Sequence, residues 1–189
     1  LGKRYEQAFL DGYKPVVLGW KGKLFNEIYY EQLIRYPYIN PYEGNANGYI
    51  FFQDDRLKET YLERMKAAKN KYEKHIVLGK MLGFPPQSVK RYAEMRILED
   101  ELGEYPEIER KQAVSVDWAG FYFTTYLDFI ESEIKWLWDT YQHPKAVNNP
   151  LCLWSRDIDA MEMTYGDYDA INEAVQFIKE KRNLVPINV

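Results

Sequence analysis

The sequence predicts a mainly α protein: five or six helices around an aromatic core, with a small two-stranded β ribbon near the N-terminus. Beyond Asp55, apolar residues recur at spacings of three and four, the period of a helix with one buried stripe. The chain also holds 17 tyrosines, 9 phenylalanines and 5 tryptophans, large rings whose burial dominates a core. The third observation is punctuation. Gly12, Gly83 and Gly103 each follow a periodic run, where helices most often stop.

In order, Tyr5, Ala8 and Phe9 mark a short helix ending at Gly12. Val16–Trp20 is β-branched and aromatic, a strand pattern with Lys21-Gly22 as its turn, and Gly48–Phe52 reads as the strand that pairs with it. Between them, Phe25, Ile28, Tyr29, Leu33 and Tyr36 form a helical stripe with Asn26 near its start. Residues 35–55 contain two prolines, two glycines and three asparagines, the composition of a long loop. Tyr36, Tyr38 and Tyr42 are interleaved there, either to meet a ligand or to fold back over the core.

Asp54 and Asp55 suit a helix N-cap. Leu57, Tyr61, Met65, Ala68, Tyr72 and Ile76 then predict one amphipathic helix from Arg56 to Leu82, about 40 Å long. Asn70 is its one candidate break. Gly79 inside it costs roughly 1 kcal/mol against alanine, so a close neighbour is expected there. Val89, Tyr92, Met95, Leu98 and Leu102 stripe a further helix, and Pro106 opens another. Residues 112–124 fit two patterns. Val114, Trp118, Phe121, Tyr122, Thr125 and Phe129 make a helix stripe; Val114, Val116, Tyr122 and Phe123 around Gly120 make a strand. The helix is preferred. Residues 126–141 read as helix, 142–157 as loop, and Ile171, Ala174, Val175 and Ile178 as the last helix.

The 189 residues fit a single domain. Within it lie an N-terminal part (1–55), a helical hairpin (56–103) and C-terminal helices (104–189). No apolar run approaches the ~20 residues of a bilayer span, so no membrane is expected. No signal-peptide pattern opens the chain, which begins at Leu1. The single Cys152 rules out an internal disulfide framework and suits a reducing compartment; a cytoplasmic location is expected.

Net charge is −4, unevenly spread. Residues 56–96 hold eleven basic and four acidic side chains, whereas 97–189 hold eight basic and eighteen acidic. The basic stretch also carries Gly79, Leu82, Gly83, Phe84, Val89 and Tyr92. This pattern, over residues 75–94, resembles the helix-turn-helix of DNA-binding proteins: a small residue in the first helix, an apolar residue and a glycine at the turn, apolar packing in the second. The resemblance implies that the second helix enters a major groove and reads it with Gln87, Ser88, Lys90 and Arg91. Pro85-Pro86 departs from that pattern at the opening of the reading helix.

Catalytic signatures are absent from the sequence. There is no GxSxG, no phosphate-cradling GxxxxGK[ST] and no strand-following GxGxxG. Two histidines and one cysteine are too few for a tetrahedral zinc site. Asp157, Asp159, Asp167 and Asp169 around Gly166 are candidate ligands for Mg²⁺ or Ca²⁺, although an acidic helix start explains them equally well. No cofactor is expected. Three readings stay open. The leading one is a non-enzymatic binding or regulatory protein that contacts DNA through the basic hairpin 56–96. The second is a metal-dependent enzyme acting on a phosphorylated substrate at the acidic turn 157–169. The third is an adaptor or inhibitor that meets another protein, or a second copy, through exposed tyrosines.

Overall fold

Continuous apolar runs, as in Val-Val-Leu and Tyr-Ile-Phe-Phe, suit a strand buried on both faces. A computed structural model describes residues 3–20, 27–41 and 48–184, and it places these runs in a three-stranded sheet. The order there is α1 (Tyr5–Leu10), β1 (Val16–Trp20), α2 (Glu27–Leu33), β2 (Tyr38–Ile39) and β3 (Gly48–Phe52). β1 and β3 pair antiparallel, Val16 opposite Phe52, and β2 extends the sheet beyond β3. Phe9, Val17, Leu33 and Phe51 form the core on one face. Lys21-Gly22, Phe25, Asn26 and Tyr42 lie outside the described residues.

The long basic helix is two helices, α3 (Asp55–Ala67) and α4 (Lys71–Met81). Asn70 breaks it: its side chain accepts from Glu73 N–H at 2.9 Å, and the Glu73 carboxylate accepts from Lys69 N–H at 2.7 Å. This reciprocal cap satisfies donors that an unbroken helix would bond internally. Tyr61 and Met81 cover the second face of the small sheet, against Val16, Ile50 and Phe52. Then follow α5 (Pro86–Leu102) and the short α6 (Glu107–Gln112).

The remainder overturns the mainly α expectation. β4 (Ala113–Trp118) and β5 (Phe121–Tyr126) form a hairpin, followed by α7 (Ile130–Thr140), α8 (Pro144–Val147), β6 (Leu151–Ser155), β7 (Ile158–Met163) and α9 (Tyr168–Lys181). The four strands make one antiparallel sheet in the order β5-β4-β6-β7. The chain is therefore mixed α/β with two sheets. Ala119 and Gly120 close the first hairpin, both at positive φ, 49° and 86°, the conformation that a two-residue hairpin turn demands. Val114, Val116, Trp118, Phe121 and Phe123 point to one face, where Ile134, Leu137 and Trp138 of α7 and Ile171 and Ile178 of α9 bury them. No helix among the described residues is long and apolar enough to cross a membrane.

Candidate functional site

Two helices meet at Gly83, and Gly79 makes room for the second: a Cβ there would lie 2.8 Å from Val89 Cγ1. The residues expected to face a DNA groove are nevertheless divided. Pro85 gives α5 no side-chain cap. Glu133 of α7 supplies one from outside, accepting from the Ser88 N–H, from Ser88 Oγ at 2.6 Å and from the Thr125 hydroxyl. Ser88 is thus a core residue, 4% exposed, with its hydroxyl turned to Glu133. Burial raises the Glu133 carboxyl above its ordinary value, with the bonds from Ser88 and Thr125 acting against it.

Arg91 is also occupied. It pairs with Glu94 at 3.0 Å and Glu109 at 2.5 Å, and its guanidinium lies 4.6 Å from the Tyr126 ring centre. Lys90 is exposed, 3.9 Å from Glu94. Gln87, Lys90 and Arg91 line a hollow of ≈ 390 Å³ together with Glu94 and Asp128, carboxylates that would repel a phosphate. Lys71 pairs with Asp100 and Arg96 with Glu99, and Arg56, Arg64, Lys66 and Lys69 are exposed along α3 and its tip.

The acidic residues also go to separate tasks. Asp157, in the β6–β7 turn, accepts from Arg182 Nε at 2.9 Å and Nη2 at 2.8 Å, and Arg182 holds it well below the usual carboxylate range. Asp159 is exposed on β7. Asp167 caps α9 by accepting from Ala170 N–H at 3.0 Å, and Asp169 lies in that helix's first turn. Among the described residues no three His, Cys, Asp or Glu side chains gather to hold a metal ion. Of the loop tyrosines, Tyr36 and Tyr38 are among the described residues and go to different places. Tyr36 packs edge-on against Phe9 at 4.9 Å, and the exposed Tyr38 lies beside Tyr49 and Phe51.

A larger concavity lies elsewhere. Strand alternation sends Tyr122, Thr124, Ser115 and Trp154 to the face of the four-stranded sheet opposite α7 and α9. They floor an open cleft of ≈ 870 Å³. Tyr92, Arg96 and Glu99 of α5 wall one side, Arg110 and Lys111 of α6 stand at the end, and Arg156 and Lys181 close the far corner. Tyr122 is 50% exposed and Trp154 37%, their rings 6.0 Å apart and inclined by 26° across β4. Arg182 fixes the corner. Besides binding Asp157 it donates to the Lys111 carbonyl at 2.8 Å and the Ala113 carbonyl at 3.0 Å, tying α9 to the start of β4.

Six cationic side chains line the cleft against three carboxylates. Glu99 pairs with Arg96, Asp157 with Arg182, and Glu107 with Lys111 at 3.8 Å. Arg110, Arg156 and Lys181 have no acidic partner among the described residues. Trp154 shares its cross-strand row with Ser115 and Thr124, whereas the next row is acidic: Tyr122 stands opposite Asp117, Asp117 opposite Cys152 and Cys152 opposite Glu162. Burial pushes the Cys152 thiol up, and Asp117 and Glu162 push it further. The outer face therefore combines a cationic rim with an acidic row that Tyr122 itself shares. Of the cleft's lining, Asp157 alone was a site candidate from sequence, and as a metal ligand. The available signal was alternation: Leu151 and Leu153 face in, so Trp154 must face out. No family model, no curated protein and no solved structure matches the chain.

Proposed function

We propose that this chain is a binding protein whose outer sheet face takes single-stranded nucleic acid, with bases on Tyr122 and Trp154 and phosphates on Arg110, Arg156 and Lys181. The observation that carries this is the exposed ring pair flooring a cleft in which three cations, Arg110, Arg156 and Lys181, have no acidic partner among the described residues. Exposed rings cost little to cover with another flat ring, and base stacking on an aromatic side chain is worth ~1–3 kcal/mol per base. A duplex hides those base faces, so it gains only the phosphate contacts. The reading keeps the binding role expected from sequence and moves it from the 56–96 hairpin to the sheet, because Ser88 and Arg91 are spent on holding α5 in place.

Fluorescence anisotropy with a labelled oligothymidylate at low salt tests it. Trp154→Ala should weaken binding ~5- to 100-fold, and affinity should fall steeply with added salt as counterions are released. A duplex of the same length should bind more weakly. No measurable binding by the unaltered protein, or binding indifferent to Trp154→Ala, would refute the proposal.

A further inference from the structure

The α5 wall of the cleft packs against α4 on its other side. Tyr92 lines the cleft from one side and is met edge-on by His75 of α4 from the other, ring centres 5.7 Å apart. Three and four residues along a helix share a face, so Lys71, Lys74 and His75 lie together on α4 just beyond that wall. Lys74 is exposed with no acidic partner among the described residues. Lys71 pairs only with Asp100, a largely exposed contact and therefore worth little. The Nε2 of His75 is buried there without a hydrogen-bond partner, an orphan that gains a bond if an incoming polar group reaches it. Arg96 stands midway, lining the cleft.

From this juxtaposition we infer that the ligand crosses the α5 wall at Tyr92 and continues over Lys71 and Lys74, so that the preferred partner is a strand of several nucleotides and not a mononucleotide. The inference rests on the cleft reading above and adds a direction and a minimum length. Phosphates leaving the aromatic floor meet Arg96 and then the α4 lysines. On the other side, the cross-strand row that begins at Tyr122 continues through Asp117 to Glu162, carboxylates that repel them.

A length series decides it: labelled oligothymidylates of roughly 2, 4, 8 and 12 nucleotides, covering the site sizes that such surfaces use. Affinity should rise beyond the shortest members and then level off. Lys71→Glu with Lys74→Glu should weaken the longest oligomer about tenfold and reduce its salt slope by about 1–2, while leaving the shortest unchanged. The same charge change at Arg56→Glu with Lys58→Glu should affect the longest oligomer much less. Equal affinity across lengths, or equal loss from the two charge-reversal pairs, would overturn the extended path while short-oligomer binding sensitive to Trp154→Ala still upholds the cleft. Absence of binding at every length overturns both.

Discussion

Trp118 and Trp154 lie on adjacent strands of one sheet and on opposite faces of it. Trp118 is fully buried beneath α7 and α9, and its indole N–H donates to the Asn149 carbonyl at 3.1 Å. Trp154 is 37% exposed beside Tyr122. The same alternation that fills the inner face delivers rings to the outer one, where no helix covers them fully. The inner face is thus where folding energy is concentrated, and the outer face holds rings free to stack on something else. If the contrast is real, Trp118→Ala should cost ~3–5 kcal/mol, as large core deletions do, and Trp154→Ala under ~1 kcal/mol, both read from urea midpoints. Equal losses would make Trp154 part of the fold and remove the ligand argument.

The inner side also buries a carboxylate, and this sharpens the contrast. Glu133 joins α7 to the first turn of α5 and to β5. Glu133→Ala leaves the Ser88 N–H and two hydroxyls without their acceptor and should cost ~3 kcal/mol. The pH dependence follows from burial, which raises its pKa in the folded protein. The native state then holds a proton at pH values where the unfolded chain has released it. This group's contribution is present below the ordinary carboxyl value and is lost as pH climbs through the raised one. Glu133→Gln should remove that decline in a thermal-melt series across the acid range.

Lys14 is the opposite case, a buried cation with no carboxylate partner among the described residues. Its ammonium donates to the Leu82 carbonyl at 3.1 Å and lies 3.9 Å from the Phe121 ring centre and 4.8 Å from that of Phe84. Tyr141, donating to the Gly83 carbonyl at 2.9 Å, and Tyr13, against Phe121, complete the surroundings. Burial lowers the Lys14 pKa to about 7. Between about 7 and its ordinary value the unfolded chain binds the proton and the native one does not, so stability rises with pH across that window. Below it both states are charged and the desolvation cost is felt in full. Lys14→Met should therefore stabilise the protein by ~2–3 kcal/mol at pH 6 and by progressively less toward pH 10. A constant difference across pH would mean that the ammonium stays charged throughout.

The β1–β3 pair of the small sheet was legible because both strands read as unbroken β-branched and aromatic runs, whereas β2, two residues inside a loop-like stretch, was not. The large sheet was not, and the reason is geometric. Residues four apart share a face in a helix and in a strand alike, so Val114 with Trp118, and Phe121 with Thr125, fit either. Only the two-residue partners decide, and Val116 and Phe123, both buried, were the informative ones. Ala119-Gly120 was the missed turn signal, with alanine where asparagine or glycine is usual. The β6–β7 hairpin was hidden by a register shift between Leu153 and Ser155, which breaks the alternation, and by acidic residues that suggested a shared task. The cleft needed both hairpins to be recognised, so its residues could not be assembled from the chain alone. Gly79 and Asn70, by contrast, were readable as local exceptions, because a glycine or a capping residue inside a helix stripe calls for a specific neighbour or a break.

Gly79 also sets how far the cleft wall stands from α4. Alanine there gains roughly 1 kcal/mol of helix propensity, but its Cβ would fall 2.8 and 2.9 Å from the two Val89 methyls. A β-branched side chain on a helix has little rotamer freedom to escape, so α5 must shift, at a cost of typically ~1–3 kcal/mol for overpacking. The two terms nearly cancel, and Gly79→Ala should destabilise by only ~1 kcal/mol. The diagnostic is the double-mutant cycle. Val89→Ala alone loses buried methyls, but in the presence of Gly79→Ala it also relieves the clash, so the pair should be more stable than the sum of the singles by ~1–2 kcal/mol. Because Tyr92 and Arg96 ride on α5, oligonucleotide affinity should fall in Gly79→Ala and recover in the double mutant, although neither substitution touches the cleft floor. Additive energies would show that the α4–α5 contact is looser than its geometry implies, and an unchanged affinity would show that the outer face binds without its α5 wall.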